Sequence, residues 1–325
     1  MAAGKSDHVT SKSKPDRCIG IEIEFSGLLP EQAAAVVAET LGGREEQTDL
    51  YDWTVRDTQL GDIQVELDTQ FVKAGNNPVQ EALESANEEL GQEIRRMIGS
   101  ASEGIVPTEI VSPPIPTGSI PDMDKLIDAL RAAGAEDSSG SPLNAFGLHL
   151  NPDVLDTTVD AILPTFKAYL LMSAWLRSTI GIDLTRRALP YIDPFPQTYV
   201  QRVASPAYAP DMDEMIDDYL NDNATRNREL DLLPLFAHMD EDRVRRVVDD
   251  PRIKPRPTYH YRLPEARLSS PDWSVQQEWD RWLLVEKLAG DSKALKDLAA
   301  VYNDTHARDW EAASTAFIED WRKDC

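Results

Sequence analysis

One stretch near the start of the chain decides the fold: Cys18-Ile19-Gly20-Ile21-Glu22-Ile23-Glu24-Phe25. Apolar and acidic residues alternate along it, and a period of two is typical of a β-strand. Because successive side chains of a strand point to opposite faces, Ile21, Ile23 and Phe25 share one face. Glu22 and Glu24 then share the other. The stretch therefore predicts a strand with one face in the core and a pair of carboxylates about 7 Å apart on the opposite face.

This pair of carboxylates suggests a metal site. Two carboxylates so close repel each other, and the repulsion raises one pKa unless a cation neutralises the pair. Mg²⁺ and Mn²⁺ are the cations that such oxygen ligands suit. An acidic pair on a single strand is more commonly a solvated face. The metal interpretation therefore depends on further strands that carry acids or histidines at alternating positions.

The composition is that of a globular protein with a strong excess of acids. The chain has 325 residues, of which 41% are hydrophobic and 28% charged. This is enough for a sizeable core, in one large domain or two ordinary ones. The formal charge of −24 argues against electrostatic binding to nucleic acid or to an anionic membrane. The same charge suits the binding of metal cations.

The termini and the cysteines bear on location and domain organisation. Only Cys18 and Cys325 occur, which argues against a disulfide framework and a cysteine-rich zinc site. No apolar run reaches membrane-spanning length, and the polar N-terminus lacks the apolar core of a signal peptide. We expect a cytoplasmic protein with a disordered tail at residues 1–17. A single domain with a helical C-terminal part is expected at residues 18–325.

The rest of the chain alternates between strand-like and helix-like segments. Further strands are predicted at 50–57, 63–68, 105–111, 144–152 and 258–265. Helices are predicted at 29–41, 79–98, 122–133, 158–180, 212–220, 274–288, 291–302 and 307–322. Residues 183–210, rich in proline and tyrosine, are expected to form an ordered loop. We predict an α+β fold in which helices cover one face of an antiparallel-rich sheet.

The polar faces of the predicted strands collect the residue types of a metal and phosphate site. They carry Glu22, Glu24, Glu66, Asp68, Glu109, His149, His260 and Arg262. In one sheet these side chains could line the same face, with carboxylates and imidazoles for divalent metals and a guanidinium for phosphate. A buried histidine is more often a hydrogen-bonded core residue than a ligand, so His149 alone is a weak signal. The chain has no phosphate-binding loop, dinucleotide fingerprint or serine nucleophile elbow.

A polar turn at 223–228 offers two more cations, Arg226 and Arg228. A turn that caps a helix and a site for an anion fit these residue types about equally well. The residues alone do not decide whether the guanidinium groups would hold nucleotide phosphates or a substrate carboxylate.

Four motifs, in this order, resemble those of a known family. They are GIEIEF at 20–25, PTEIVSPP at 107–114, GLHLNP at 147–152 and the late strand that ends in R-x-P-E at 262–265. Over about 20–265 the chain is similar to the putative amidoligase family, which has the fold of glutamine synthetase and glutamate–cysteine ligase. The resemblance implies a curved, mostly antiparallel sheet with helices packed on its outer face.

The resemblance also implies a reaction, the ATP-dependent joining of a carboxylate to an amine through an acyl phosphate. The substrates would be small molecules or peptides, and the cofactors ATP and Mg²⁺ or Mn²⁺. The implied metal ligands are Glu22, Glu24, Glu66, Glu109, His149 and His260. The residues expected to bind ATP are His149, Arg228 and Arg262. The candidate catalytic residues are Arg226, Arg228 and Arg262, of which Arg262 matches the arginine that stabilises the transferring phosphate.

Two positions depart from the pattern of the relatives. His260 stands where glutamine synthetase has a glutamate ligand, and a neutral imidazole suits Mn²⁺ better than Mg²⁺. Asn151 stands where many relatives have a second histidine. The role of Asp68, as a further ligand or a substrate contact, stays open.

Two other functions fit the same residues. A scaffold protein that binds metal or nucleotide without catalysis is favoured by the departure at His260. A metal-dependent hydrolase would use the same carboxylates to hold a metal-bound water. Binding of ATP with Mg²⁺ separates the ligase from the hydrolase, because a hydrolase needs no nucleotide.

The alternation also makes a prediction about the fold. Glu22, Glu24, Glu109 and His149 should converge on one face of a single sheet, because they occupy matching phases of strand-like segments. Atomic coordinates check this prediction. Side chains on opposite faces, or in separate domains, would end the argument for an active site.

Overall fold

The computed structural model describes residues 17–68, 106–137, 146–182, 192–306 and 309–324. Within these residues nine strands pair antiparallel in one sheet. Numbered along the chain, they are β1 (Cys18–Phe25), β2 (Arg44–Gln47), β3 (Trp53–Thr58), β4 (Gly61–Leu67), β5 (Thr108–Val111), β6 (Ile115–Pro116), β7 (Leu148–Pro152), β8 (Leu230–Asp231) and β9 (His260–Tyr261). Their order is β2–β3–β4–β5–β1–β7–β9–β8, and β6 also pairs with β1.

Helices are interspersed with the strands along the chain. After β9 the described part of the chain forms helices with no further strand between them. The helices are α1 (Pro30–Leu41), α2 (Ile120–Ala133), α3 (Val159–Ile180), α4 (Gln197–Ala204), α5 (Met212–Asp222), α6 (Leu233–Met239), α7 (Glu241–Val247), α8 (Val275–Gly290), α9 (Ser292–Asp304) and α10 (Trp310–Trp321). Among the described residues, no helix combines the length and apolar character that a membrane crossing requires.

Strand β1 lies inside the sheet, and its apolar face is in the core. Ile21 and Ile23 have no exposed surface, as their alternation predicts. They belong to the same hydrophobic core as Val37 of α1, Leu126 of α2 and Phe166 of α3. Burying one such side chain contributes roughly 1.5–3 kcal/mol. The helices thus cover one face of the sheet, and the opposite face of β1 is left for the acidic side chains.

The predicted α+β class is confirmed, since helices accompany an antiparallel sheet. The curvature and topology specific to glutamine synthetase stay predictions. The helix predicted at 79–98 lies outside the described residues, and so do residues 1–16 of the tail expected at 1–17.

Residues 183–210 were expected to be a loop, but helix α4 (Gln197–Ala204) lies within the described part of them. The helix begins directly after Pro196 and buries Tyr199, Val200 and Val203. Proline sets a backbone angle compatible with a helix start. Pro196 therefore marks the start of a helix, and the predicted loop is wrong over Gln197–Ala204.

Two strands towards the ends of the sheet also differ from the prediction. Strand β2 (Arg44–Gln47) is fully exposed and carries no apolar alternation, so only its pairing with β3 makes it a strand. The late strand predicted at 258–265 contracts to His260–Tyr261. Pro257 and Pro264 flank it, and proline cannot donate a hydrogen bond to a neighbouring strand.

A buried ion pair fixes the chain beside the end of the sheet. Glu229, directly before β8, is fully buried. Its carboxylate accepts hydrogen bonds from Arg177 Nε at 2.6 Å and from the hydroxyl of Ser173, both on α3. Its backbone carbonyl accepts from the backbone N–H of Arg262 at 2.9 Å. The pair therefore ties the backbone of Arg262 to the central helix.

We predict that Arg177→Leu lowers the free energy of unfolding by about 3–5 kcal/mol, because it leaves the Glu229 carboxylate buried without its cation. Urea denaturation measures the change. The double variant Arg177→Leu/Glu229→Leu should lose clearly less, since no charge is then left unpaired. Equal losses in the single and the double variant would contradict the importance of the ion pair.

Candidate active site

Three glutamates lie directly opposite one another across three adjacent strands. The register aligns Glu24 of β1 with Glu109 of β5, and Glu109 with Glu66 of β4. Residues directly opposite in antiparallel strands share a face, with Cβ atoms about 4.5–5.5 Å apart. We call these three side chains the carboxylate row. Such a row destabilises the fold unless protons or cations reduce its charge.

Next to this row, Glu22 lies opposite His149 of β7. Its carboxylate accepts a hydrogen bond from Nδ1 of His149 at 3.0 Å and another from Nδ2 of Asn151 at 2.9 Å. An ionised carboxylate can only accept, so Nδ1 of His149 carries a proton, and in the neutral form of the ring the lone pair is on Nε2. Nε2 lies 4.0 Å from Oε1 of Glu24.

His260 approaches the same carboxylate from β9. Its Nε2 lies 4.0 Å from Oε2 of Glu22, and its ring meets the His149 ring edge-on at a centroid distance of 5.4 Å. Its Nδ1 lies 3.4 Å from Oδ2 of Asp231, a fully buried carboxylate on β8. Burial lowers the pKa of His260 to about 4, although Asp231 opposes the shift. The ring is therefore neutral at physiological pH.

Two overlapping groups of side chains in the described part of the chain could hold a metal ion. One is Glu22, His149 and His260, and the other is Glu24, Glu109 and His149. In each group the donor atoms lie within 4.8 Å of one another. The convergence predicted for Glu22, Glu24, Glu109 and His149 is confirmed. Carboxylate oxygens and neutral imidazoles are also the donors that divalent cations take, so the residues fit the implied metal.

Burial and mutual repulsion raise the pKa of Glu109 and burial raises that of Glu24, and a bound cation would reverse both shifts. Burial, followed by the charges of Glu22 and Asp68, raises the pKa of Glu109 well above the ordinary 4.5. Burial also raises the pKa of Glu24, against the effect of His149 and of a hydrogen bond from the Gly147 N–H at 2.7 Å. Burial would raise the pKa of Glu22 too, but the hydrogen bond from His149 holds it well below its ordinary value.

A cavity of about 480 Å³ opens over these residues, and its lining includes five carboxylates and five cations. The carboxylates are Glu22, Glu24, Glu66, Asp68 and Glu109. The cations are Arg226, Arg252, Lys254, Arg256 and Arg262. The acids come from strands in the first part of the chain, and the cations come from segments around β8 and β9. The cavity thus offers ligands for metal cations and donors for anions side by side.

Arg262 and Arg226 are neighbours at this cavity. Nη1 of Arg262 donates a hydrogen bond to the carbonyl of Arg226. Burial, followed by the charge of Arg262, lowers the pKa of Arg226. Nε of Arg262 is buried and makes no hydrogen bond to any of the residues that the structure describes. An anion placed here would reduce the repulsion between two guanidinium groups, as expected of residues that bind phosphate.

Arg228 is the sequence-predicted site residue that does not line this cavity. Its guanidinium donates hydrogen bonds to the carbonyls of Pro194 at 2.7 Å and Asp222 at 3.3 Å. It also lies 5.7 Å from the centre of the Phe195 ring. These contacts join the segment before α4 to the end of α5. The geometry therefore does not favour the predicted role of Arg228 in ATP binding and catalysis.

Sequence reasoning missed the basic segment at 251–257. Arg252, Lys254 and Arg256 line the cavity, and Nη2 of Arg256 donates to Oδ1 of Asn151 at 2.8 Å. Arg256 also lies 3.8 Å from the Glu22 carboxylate. The available signal was the spacing of two between these three basic residues.

A comparison with models of known protein families identifies the family of this chain. The model of the family described as "Putative amidoligase enzyme" matches residues 15–284, which is most of the chain. The chain therefore belongs to this family, and the resemblance seen in its four motifs is confirmed. No curated protein and no solved structure matches the chain. The cavity on the acidic face of the sheet is accordingly the candidate active site of this member of the family.

The carboxylate row leads to a prediction about stability without metal. The folded pKa of Glu109 lies above its unfolded value. As pH rises from about 4.5, the unfolded state loses its proton first, and stability falls until the raised folded pKa is reached. Glu109→Gln cannot titrate, so it should stabilise the metal-free protein by about 1 kcal/mol at high pH, with little effect near pH 4.5.

Thermal unfolding at several pH values, in the presence of a chelator, measures this difference. The matched control is Glu39→Gln, which changes an exposed glutamate on α1 and should show no such pH-dependent gain. A destabilised Glu109→Gln variant at high pH would show that the Glu109 charge is not repelled in the folded protein.

Proposed function

We propose that the protein is an ATP-dependent ligase that joins a carboxylate to an amine through an acyl phosphate. The observation that carries this proposal is the cavity in which the carboxylate row and two histidines adjoin five cations. Membership of the amidoligase family supports the ligase class. Divalent cations would be held by Glu22, Glu24, Glu66, Glu109, His149 and His260.

The mixed charge of the cavity suits a metal-bound triphosphate. Bound divalent cations would neutralise the carboxylates and the phosphate oxygens that face them. Arginine and lysine side chains then suit the phosphate oxygens that face away from the metal. A metal-dependent hydrolase needs the carboxylates but has no evident use for five cations in the same cavity. The basic residues therefore favour a nucleotide-dependent reaction.

The proposed reaction has two displacements. An oxygen of the substrate carboxylate attacks the γ-phosphorus of ATP, the bond from that phosphorus to the bridging oxygen breaks, and ADP leaves. The amine nitrogen then attacks the acyl carbon of the acyl phosphate. The carbon–oxygen bond breaks, inorganic phosphate leaves, and loss of a proton from nitrogen completes the amide.

Arg262 would stabilise the phosphoryl group during this transfer. Its backbone is anchored through Glu229, and its buried Nε–H makes no hydrogen bond within the described residues. A donor that is fixed in advance loses little entropy when charge develops beside it. Arg226, next to it, adds a second guanidinium for the same phosphate or for ADP.

A coupled assay tests the proposal. The protein is incubated with ATP, Mg²⁺ or Mn²⁺, and pools of amino acids, polyamines and peptides, while ADP release is followed. We expect release only when a carboxylate and an amine are both present, with a product whose mass equals their sum minus water. Cleavage of peptides in the pool without nucleotide would indicate a hydrolase. Calorimetric ATP binding without turnover in any pool would indicate a scaffold protein.

Glu24→Gln should reduce turnover by a factor of about 10² or more, because it removes a charged ligand from the metal and from the transferring phosphate. The metal-free variant should not melt below the parent, since a repelled carboxylate is removed. Initial rates and melting temperatures measure both effects, with Glu39→Gln as the control. A variant that melts far below the parent without metal would show that Glu24 has a structural role.

A further inference from the structure

We infer that the two cation positions in the candidate site differ in kind. The position at Glu22, His149 and His260 takes a first-row transition metal, whereas the carboxylate row takes Mg²⁺. The inference rests on the proposed ligase site, because that function requires cations there. It goes further by assigning a class of metal to each position and a role to Asp231.

His260 provides the first argument. Its side chain is almost fully buried and lines the cavity, yet its Nε2 has no hydrogen-bond partner in the described part of the chain. Buried polar atoms nearly always have a partner, because leaving one unpaired is costly. Nε2 faces the Glu22 carboxylate at 4.0 Å. A metal ion bound by Glu22 would give this nitrogen the missing partner.

Asp231 provides the second argument. Histidines that bind metal commonly donate the other ring N–H to a carboxylate, which fixes the tautomer and the orientation of the ring. Oδ2 of Asp231 lies 3.4 Å from Nδ1 of His260, and Oδ1 is held by the Leu233 N–H at 2.9 Å. With the proton on Nδ1, the lone pair of His260 lies on Nε2, towards the cavity. Asp231 is therefore a positioning residue.

The donor sets of the two positions provide the third argument. His149 belongs to both groups, but a neutral imidazole has one lone pair and can bind one metal at a time. With the lone pair on Nδ1, His149 can bind the metal beside Glu22, and that position then has two nitrogens and one carboxylate while the row has only carboxylates. With the proton on Nδ1, the lone pair on Nε2 lies towards Glu24 of the row, and Glu22 still shares its metal with His260. In both cases the position at Glu22 has the larger share of nitrogen donors.

This difference decides the class of metal. Imidazole nitrogen favours transition metals, whose affinities rise from Mn²⁺ to Co²⁺ and beyond, while carboxylate oxygen suits Mg²⁺. Glu24 and Glu109 supply such oxygens, and Glu66 lies directly opposite Glu109. The carboxylate row is therefore the position for the hard cation.

Metal binding to the full chain, without nucleotide or substrate, tests the inference. Co²⁺ and Mg²⁺ are titrated separately into chelator-treated protein, with calorimetry and the visible spectrum of Co²⁺ as readouts. His260→Gln should lower the Co²⁺ affinity at least tenfold and the Mg²⁺ affinity less than twofold. Glu109→Gln should show the reverse order. Asp231→Asn should weaken Co²⁺ binding about tenfold.

His238→Gln is the matched control, because it removes an exposed histidine from α6 and should change neither affinity. Equal losses of Co²⁺ and Mg²⁺ affinity in His260→Gln, or no loss of Co²⁺ affinity, would overturn the inference. Pulsed EPR of Mn²⁺ in the unaltered protein, with ¹⁵N-labelled histidine, keeps the test valid if a variant misfolds. Coupling to imidazole nitrogen is expected, and its absence would also overturn the inference. Since no turnover is measured, failure to release ADP would count against the proposed ligase alone.

Discussion

Repulsion within the carboxylate row is the constraint on which the site depends. Glu24, Glu109 and Glu66 face one another across neighbouring strands, a register that opposes folding by up to about 1 kcal/mol per pair. Burial of the apolar side chains on the other face of the same strands offsets this repulsion. Ile23 and Ile110 are fully buried there, and each contributes roughly 1.5–3 kcal/mol. The core therefore keeps the carboxylates of the row close together, although they repel one another. Because bound cations would remove this repulsion, the row is well suited to bind them.

Beside the row, hydrogen bonds connect Glu22 to a histidine and to the cations of the cavity. Glu22 is satisfied by His149 and Asn151, and Asn151 in turn accepts from Arg256. The acidic sheet and the basic segment are thus linked by hydrogen bonds before any ligand binds. Arg262 is fixed from behind through the backbone of Glu229. A site with both signs of charge already in place needs little rearrangement to receive a triphosphate and its metal.

The contacts of His260 explain how a histidine is accommodated at this position. A glutamate at this position would add another negative charge beside Glu22 and in front of Asp231. The histidine instead forms a polar contact with Asp231 and leaves a nitrogen facing the cavity. His260 is thus supported by its own buried partner. This arrangement favours a changed metal preference over a lost site.

The sequence by itself determined which side chains of a strand share a face, because the period of two is a local property of extended backbone. That was enough to predict that Glu22, Glu24, Glu109, His149 and His260 lie on the polar faces of their strands. The four motifs were enough to identify the family. Only the tertiary structure decided the register that aligns Glu24, Glu109 and Glu66, the approach of the basic segment at 251–257 and the position of Arg228 outside the cavity. Each of these depends on pairing and packing between segments far apart in the chain, and no local pattern of residues specifies it.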